Sequence, residues 1–237
     1  MGIFELLFGH QVISSSALII PAYNAESYLS VTLEAILRFV PANKIVVVDD
    51  GSSDKTQERA LAAGVNCLRH EKNLGKGSAL MTGLLWAREK GFSWVVTMDA
   101  DGQHVAADLQ SFWNAPVTQD TAILVGRRSQ RGSSMPPHRR FSNYLTSRMI
   151  SSLAGKPIFD AQCGYRMYRL DAIESTGYPR YGRFEWEAQA LVLACRKGYS
   201  VLPVDIATVY TDNGSHMNLI WDTLRFLKMY GSLAWTR

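Results

Sequence analysis

Short, continuously apolar runs alternate along the first half of the chain with longer stretches in which apolar residues recur every three or four positions. "ALII" (17–20), "KIVVVDD" (44–50), "VNCLRH" (65–70), "WVVTM" (94–98) and "AILVG" (122–126) read as strands. "ESYLSVTLEAILRFV" (26–40), "SDKTQERALAAG" (53–64) and "KGSALMTGLLWAREKG" (76–91) read as helices, the last two closed by Gly64 and Gly91. A further helical stretch separates "WVVTM" from "AILVG". Strand–helix alternation predicts parallel strands joined by right-handed crossovers. The lack of polar interruptions in the strands predicts a sheet covered on both faces. After Gly126 the pattern changes. A Pro, Gly and Ser-rich loop, "RRSQRGSSMPPH", precedes a helix over about 139–154, an alternating strand "CGYRMYR", a helix "FEWEAQALVLACRKG", one or two strands in "SVLPVDIATVY" and a last helix "NLIWDTLRFLKMYGSLAW". The expectation is an α/β fold: a Rossmann-like, mostly parallel central sheet with helices on both faces, and a mixed C-terminal half in the same compact unit.

A chain of 237 residues, 47% of them hydrophobic, suits one sizeable domain. The formal charge of +4 is mild, but its distribution is uneven. No acid occurs between Asp120 and Asp160, whereas Arg127, Arg128, Arg131, Arg139, Arg140, Arg148 and Lys156 do, so this segment should attract anions. Three scattered cysteines make neither a disulfide framework nor a zinc cluster and fit a reduced, cytoplasmic setting. No run of about 18 apolar residues is present to span a bilayer. The N-terminal "MGIFELLFGH", interrupted by Glu5, makes a poor signal peptide and is expected to be a short surface helix that packs on the body or touches lipid.

In an open α/β sheet, ligands bind beyond the carboxyl ends of the strands, and the polar signatures fall there: "PAYN", "DDGSSD", "NLGKG" and "DADGQH" follow the first four strands in turn. Asp49 and Asp50 suit a ribose, a base edge or a cation; alternatively Ser52, Ser53 and Asp54 only cap the next helix. "NLGKG" is no Walker loop, since Gly77 follows Lys76, and no dinucleotide fingerprint, since Leu80 stands at the third glycine position. Its glycines still free the backbone at a helix start, where amides favour anions. Asp99, Asp101 and Gln103 alternate, so in extended chain all three present oxygen to one side. Such a set suits Mg²⁺ or Mn²⁺, which take few protein ligands and complete their shell with phosphate and water; a polar turn after a strand is the simpler alternative. Nucleic acid is disfavoured as the anion by the absence of an aromatic stacking series or a reading helix.

The ordered set "IIPAYNAESYL", "IVVVDDGSSDKT", "NLGKGSAL", "MDADGQH", "GRR" and "DAQCGYRMYR" resembles family 2 glycosyltransferases of the GT-A fold, and within them the polyprenyl-phosphate branch typified by dolichyl-phosphate mannose synthase, over about residues 16–216. The resemblance divides the chain into a nucleotide-sugar half (16–126), an acceptor half (127–216) and a C-terminal amphipathic helix (217–237). It implies a UDP- or GDP-sugar donor with Pro21, Tyr23 and Asp50 near base and ribose and Lys76 alongside. It implies a DxD motif at Asp99, Ala100 and Asp101 that binds a divalent ion and the diphosphate, with Gln103 also reaching the metal. Arg127 or Arg128 would lie near the donor phosphates; Arg139, Arg140 and Ser142 would receive an acceptor phosphate; Asp160, Gly164 and Arg166 match a family motif of the reacting centre. Cys163 replaces a serine of that motif, Ala25 stands where the branch often has Glu, and His216 replaces a lysine; these departures concern the acceptor side more than the donor.

The implied reaction inverts the anomeric carbon by direct displacement, with the metal stabilising the leaving nucleoside diphosphate. A phosphomonoester acceptor, with a second pKa of about 6, needs cations rather than a base. A sugar hydroxyl needs a base, for which Glu185 and Glu187 are the candidates, unless they merely favour the helix dipole. The arginine-rich window favours a lipid phosphate acceptor. Leu219, Ile220, Leu224, Phe226, Leu227, Tyr230 and Leu233 on the last helix suggest membrane-surface contact, or packing on the core or a partner. Polysaccharide or glycolipid synthesis on a hydroxyl is the near alternative, and a nucleotide-binding module or nucleotidyltransferase the distant one.

Overall fold

The computed structural model describes residues 12–128, 137–207 and 219–235. The N-terminal decapeptide, Arg131, His216 and the side chains of Leu219, Ile220 and Trp221 lie outside this description, and the expectations placed on them stay there.

The apolar runs become strands close to where the pattern sets them: β1 (Ser16–Ala22), β2 (Ile45–Asp49), β3 (Asn66–Arg69), β4 (Trp94–Thr97) and β5 (Thr121–Arg128). The intervening helices are α1 (Glu26–Leu37), α2 (Thr56–Ala62), α3 (Lys76–Glu89) and the short α4 (Leu109–Trp113). Beyond them lie α5 (Pro137–Ala154), β6 (Arg166–Arg169), α6 (Leu170–Ser175), α7 (Glu185–Arg196), β7 (Ser200–Ile206) and α8 (Leu219–Trp235). The sequence pattern did not mark α6, whose six residues make too short a period. Gly64 and Gly91 end α2 and α3 with φ of 74° and 78°, as their position after each helix predicts.

One seven-stranded sheet runs through both halves in the order β3-β2-β1-β4-β6-β5-β7. All neighbours are parallel except β6, which runs antiparallel to both β4 and β5. Every residue of β2 and β4 is buried, as continuously apolar strands under two layers of helices must be. The last helix divides its apolar surface: Met229 and Leu233 are buried against the body, while Leu224, Leu227 and Trp235 face outward. The wide single face expected for α8 is therefore two faces, one packed and one exposed. No helix among the described residues is long and apolar enough to cross a membrane.

Candidate active site

The parallel strands β1, β2, β3 and β4 deliver their following loops to one edge of the sheet. The first two loops are joined by side chain to backbone bonds. The Asn24 amide donates to Ser52 Oγ at 2.9 Å, Asn24 Oδ1 accepts the Ser53 amide at 2.9 Å, and Asp54 Oδ2 accepts the Glu26 amide at 3.0 Å. Asp54 thus caps α1 across the loop, while its other oxygen accepts the Thr56 amide at 3.0 Å in its own turn. Pro21 is the penultimate residue of β1, and Tyr23 lies exposed just beyond the strand.

Asp49 and Asp50 are both buried. Asp49 accepts the Ser52 amide at 2.9 Å and pairs with Arg69 at 3.1 Å. Asp50, expected beside base and ribose, takes the Leu74 and Gly75 amides at 2.9 and 2.7 Å and lies 2.7 Å from His70 Nδ1. Both of its oxygens are occupied by the protein, and what it presents to a ligand is the glycine-rich loop that it anchors. Gly75 holds φ of +100° there, and a β-carbon would strike Arg183, so no other residue fits without strain.

That loop starts α3 and aims Lys76 at the end of β4. Lys76 Nζ lies 2.7 Å from Asp99 and 3.0 Å from Glu187 of α7. Burial alone would push the ammonium down, but the two carboxylates outweigh it and hold Lys76 well above its usual range. Burial likewise pushes Asp99 up, and Lys76 with His104 overrides it to hold the carboxyl far below the usual range. Asp101 goes the other way: burial and then the Asp99 charge raise it. Its Oδ1 accepts the Gln103 amide at 3.0 Å, so the turn through Ala100 and Gly102 keeps Asp99, Asp101 and Gln103 together. His104 sits behind, its ring 5.0 Å from that of Tyr165 and its Nε2 3.7 Å from Asp99, with Nδ1 buried and without a hydrogen-bond partner.

The antiparallel strand β6 brings the opposite wall. Thr97 Oγ1 donates to the Gly164 carbonyl at 3.0 Å. A β-carbon at Gly164 would collide with Asp99 and with Lys76 Nζ, so glycine is what lets this wall reach the acid–lysine pair. Arg166, expected at the reacting centre, is instead buried in the frame. Its guanidinium donates to the carbonyls of Ala161, Cys163 and Glu187 at 2.7, 2.7 and 2.8 Å. Two carbonyls of the irregular turn before β6 and one in the first turn of α7 take their donors from this one arginine fork, which ties the turn to the helix. Cys163, in the serine position of the family motif, is a buried thiol pushed up to about 12, chiefly by burial.

The arginine window divides. Arg127 forms a two-pronged pair with Asp205 at 2.6 and 2.9 Å and lies over the Phe159 ring. Arg128 forms another with Asp160, at 2.8 and 2.8 Å. The structure thus gives Arg127 a strand partner in place of the donor phosphates expected of it. Arg139 and Arg140 stand exposed at the start of α5, with Ser142 near them. Glu185 is buried at the start of α7. Glu187, read with it as a base or a helix-dipole acid, is tied to Lys76; no residue spacing announces that tie, which depends on α7 approaching α3.

Among the described residues no group of three or more His, Cys, Asp and Glu side chains has metal-holding geometry. The donor set that fits a hard divalent ion is Asp99 and Asp101 with the amide oxygen of Gln103. Burial and then repulsion by Asp99 raise Asp101, and a bound cation would offset both.

The profile of glycosyl transferase family 2 matches residues 17–177. The undecaprenyl-phosphate mannosyltransferase of Micrococcus luteus is 34% identical over 68% of this chain and 72% of its own. The polyprenol monophosphomannose synthase of Mycolicibacterium smegmatis is 33% identical over 79% and 75%. The UDP-N-acetylglucosamine–dolichyl-phosphate N-acetylglucosaminyltransferase of Methanococcus voltae is 30% identical over 82% and 86%. Among solved structures, glucosyl-3-phosphoglycerate synthase of Mycobacterium tuberculosis superposes with a TM-score of 0.75 at 17% identity, over 95% of this chain and 84% of that one, a likeness of fold. With the ordered motifs at one sheet edge, the chain is a glycosyltransferase of the GT-A fold and belongs to glycosyltransferase family 2.

Proposed function

We propose that the chain transfers a sugar, with inversion, from a nucleotide sugar to a polyprenyl phosphate at the cytoplasmic membrane surface. The observation that carries this reading is the Asp99–Asp101 pair, one acid neutralised by Lys76 and the other raised by burial and by its neighbour's charge, at the edge where the donor loops converge. Asp99, Asp101 and Gln103 would hold Mg²⁺ or Mn²⁺, which supplies charge stabilisation to the leaving diphosphate. The mycobacterial synthase of like fold is crystallised with Mn²⁺, UDP-glucose and phosphoglyceric acid, which supports the same division of labour. Tyr23 and Pro21 would flank the nucleoside, on a loop whose shape Asp50 and Asp54 maintain. Lys76 holds Asp99 ionised and in place.

The relatives named for dolichyl, undecaprenyl and polyprenol phosphates support a lipid phosphate acceptor. Such an acceptor arrives already ionised and needs cations rather than a base. This agrees with a site in which Glu187 is occupied by Lys76. Exposed Arg139 and Arg140 would draw the phosphate in, and the outward face of α8 would rest at the lipid surface.

The deciding experiment presents radiolabelled UDP- and GDP-sugars with Mn²⁺ to the full chain, in the presence of a lipid extract or of free sugars. Label is expected in a lipid-extractable product from which mild acid releases the sugar. Label only in water-soluble glycan would overturn the acceptor assignment.

A further inference from the structure

A cavity of about 300 Å³ opens between the glycine-rich loop, the turn before α7 and the last helix, lined by Leu74, Tyr181, Gly182, Arg183, Glu185, Arg225 and Lys228. Its size is at the lower end of small-ligand sites, roughly 300–1,000 Å³. Three cations from two separate parts of the chain meet one acid in its wall, so its field favours an anion. Arg225 and Lys228 are three apart on α8 and so share a face.

The surroundings are apolar. Leu74 and Phe184 are 44% and 40% exposed, and Leu224 and Leu227, each one residue before a cavity cation, are 52% and 49% exposed. A stripe of leucines therefore runs beside the stripe of cations along α8. The cavity also adjoins the donor seat. Leu74 is two residues from Lys76, Lys76 Nζ stands 5.9 Å from the centre of the Phe184 ring, and the Arg183 stem packs over Gly75.

We infer that this cavity is the phosphate seat of the lipid acceptor: Arg183, Arg225 and Lys228 hold the phosphate, and the hydrocarbon chain leaves over Leu224 and Leu227. A cationic hollow with an exposed apolar rim, one loop away from the leaving diphosphate, matches an amphiphile with a phosphate head. The inference rests on the polyprenyl-phosphate reading above and adds a second set of cations to it. Arg139 and Arg140 then serve approach, and the cavity serves final placement.

The test uses the full chain and citronellyl phosphate, a water-soluble isoprenyl monophosphate, titrated calorimetrically without vesicles; citronellol, which lacks the phosphate, is the control. Arg225→Gln/Lys228→Gln is expected to weaken citronellyl phosphate about tenfold or more, from the loss of charge-assisted bonds, with nucleotide-sugar affinity within about twofold. Arg183→Gln, away from α8, is expected to act in the same direction and serves if the double variant misfolds. An unchanged affinity in both variants overturns the assignment, as does a loss confined to Arg139→Gln/Arg140→Gln. Phosphatidylglycerol vesicles form the second arm. If the cavity variants lose vesicle binding while citronellyl phosphate binds as before, the cations serve a bilayer headgroup and the acceptor assignment falls. Failure of the wild-type chain to glycosylate any polyprenyl phosphate would overturn the proposed function instead, and would leave phosphate binding by the cavity to stand or fall on its own titration.

Discussion

Two pairs of aspartates end neighbouring parts of the same sheet, and they have opposite fates. Asp49 and Asp50 stand at the end of β2 and are engaged by the protein: Ser52, Leu74 and Gly75 amides bond to them, with His70 alongside, and Asp49 Oδ2 is met by the Arg69 ion pair alone. Asp99 and Asp101 follow β4 at a spacing of one residue. There Lys76 neutralises one acid, and the other is raised first by burial and then by the charge of its neighbour. Satisfied carboxylates shape loops; mutually repelling ones at a ligand edge are poised for a cation. Composition alone does not separate the two pairs. The donors that each finds in the folded chain do.

Substitutions can break this contrast. The largest effect is expected for Asp101→Asn: transfer should fall at least a hundredfold, on the scale of removing one preorganised charge from a transition state. Its thermal stability should be unchanged or higher, since a repulsion is relieved. Initial rates at saturating Mn²⁺ and a melting curve read both, and retained activity would sink the metal seat. Asp50→Asn should do the reverse. It is expected to cost about 2 kcal/mol of stability, as hydrogen bonds to a buried charge are weakened, with the loss seen by urea unfolding. A donor KM raised tenfold at unaltered stability would instead mean that Asp50 touches the nucleoside. Glu187→Gln is the mildest, expected to cost about 1 kcal/mol because Gln still accepts from Lys76 and the lysine keeps Asp99. An isotope-edited titration of the Lys76 amine should show its pKa lowered in that variant, since one of the two carboxylates holding it above its usual range is gone.

The strands were legible because burial on both faces leaves no room for polar interruptions, as in Ile45–Asp49 and Trp94–Thr97. The "DADGQH" edge was legible for a related reason: carboxylates directly after such a run must lie at a strand end. What was not legible depends on which elements meet. Arg166 was expected at the reacting centre because the motif that contains it does not tell a guanidinium that meets substrate from one that clamps backbone carbonyls. Glu187 could be linked to Lys76 only once α7 was seen beside α3. Leu224 and Phe226 fell on one apolar stretch, yet the packing of α8 turns the first outward and leaves the second half-buried against the body.

The reversed strand β6 has one more consequence. Its neighbours run toward the ligand edge, whereas β6 starts from it, so the residues just before Arg166 are measured back from the strand's pairing with β4. Thr97 faces Arg166 in that ladder. Loss or gain of a single residue between Gly164 and Arg169 would move the preceding turn by about 3.3 Å and exchange the two faces of the strand. The inserted residue or Met167 after a gain, or Tyr165 after a loss, would then occupy the place of the arginine that clamps the turn, and a residue with a side chain would be pushed against Asp99. Length variation in this family member should therefore be nearly forbidden across β6, which acts as the molecule's ruler for the distance between its two halves.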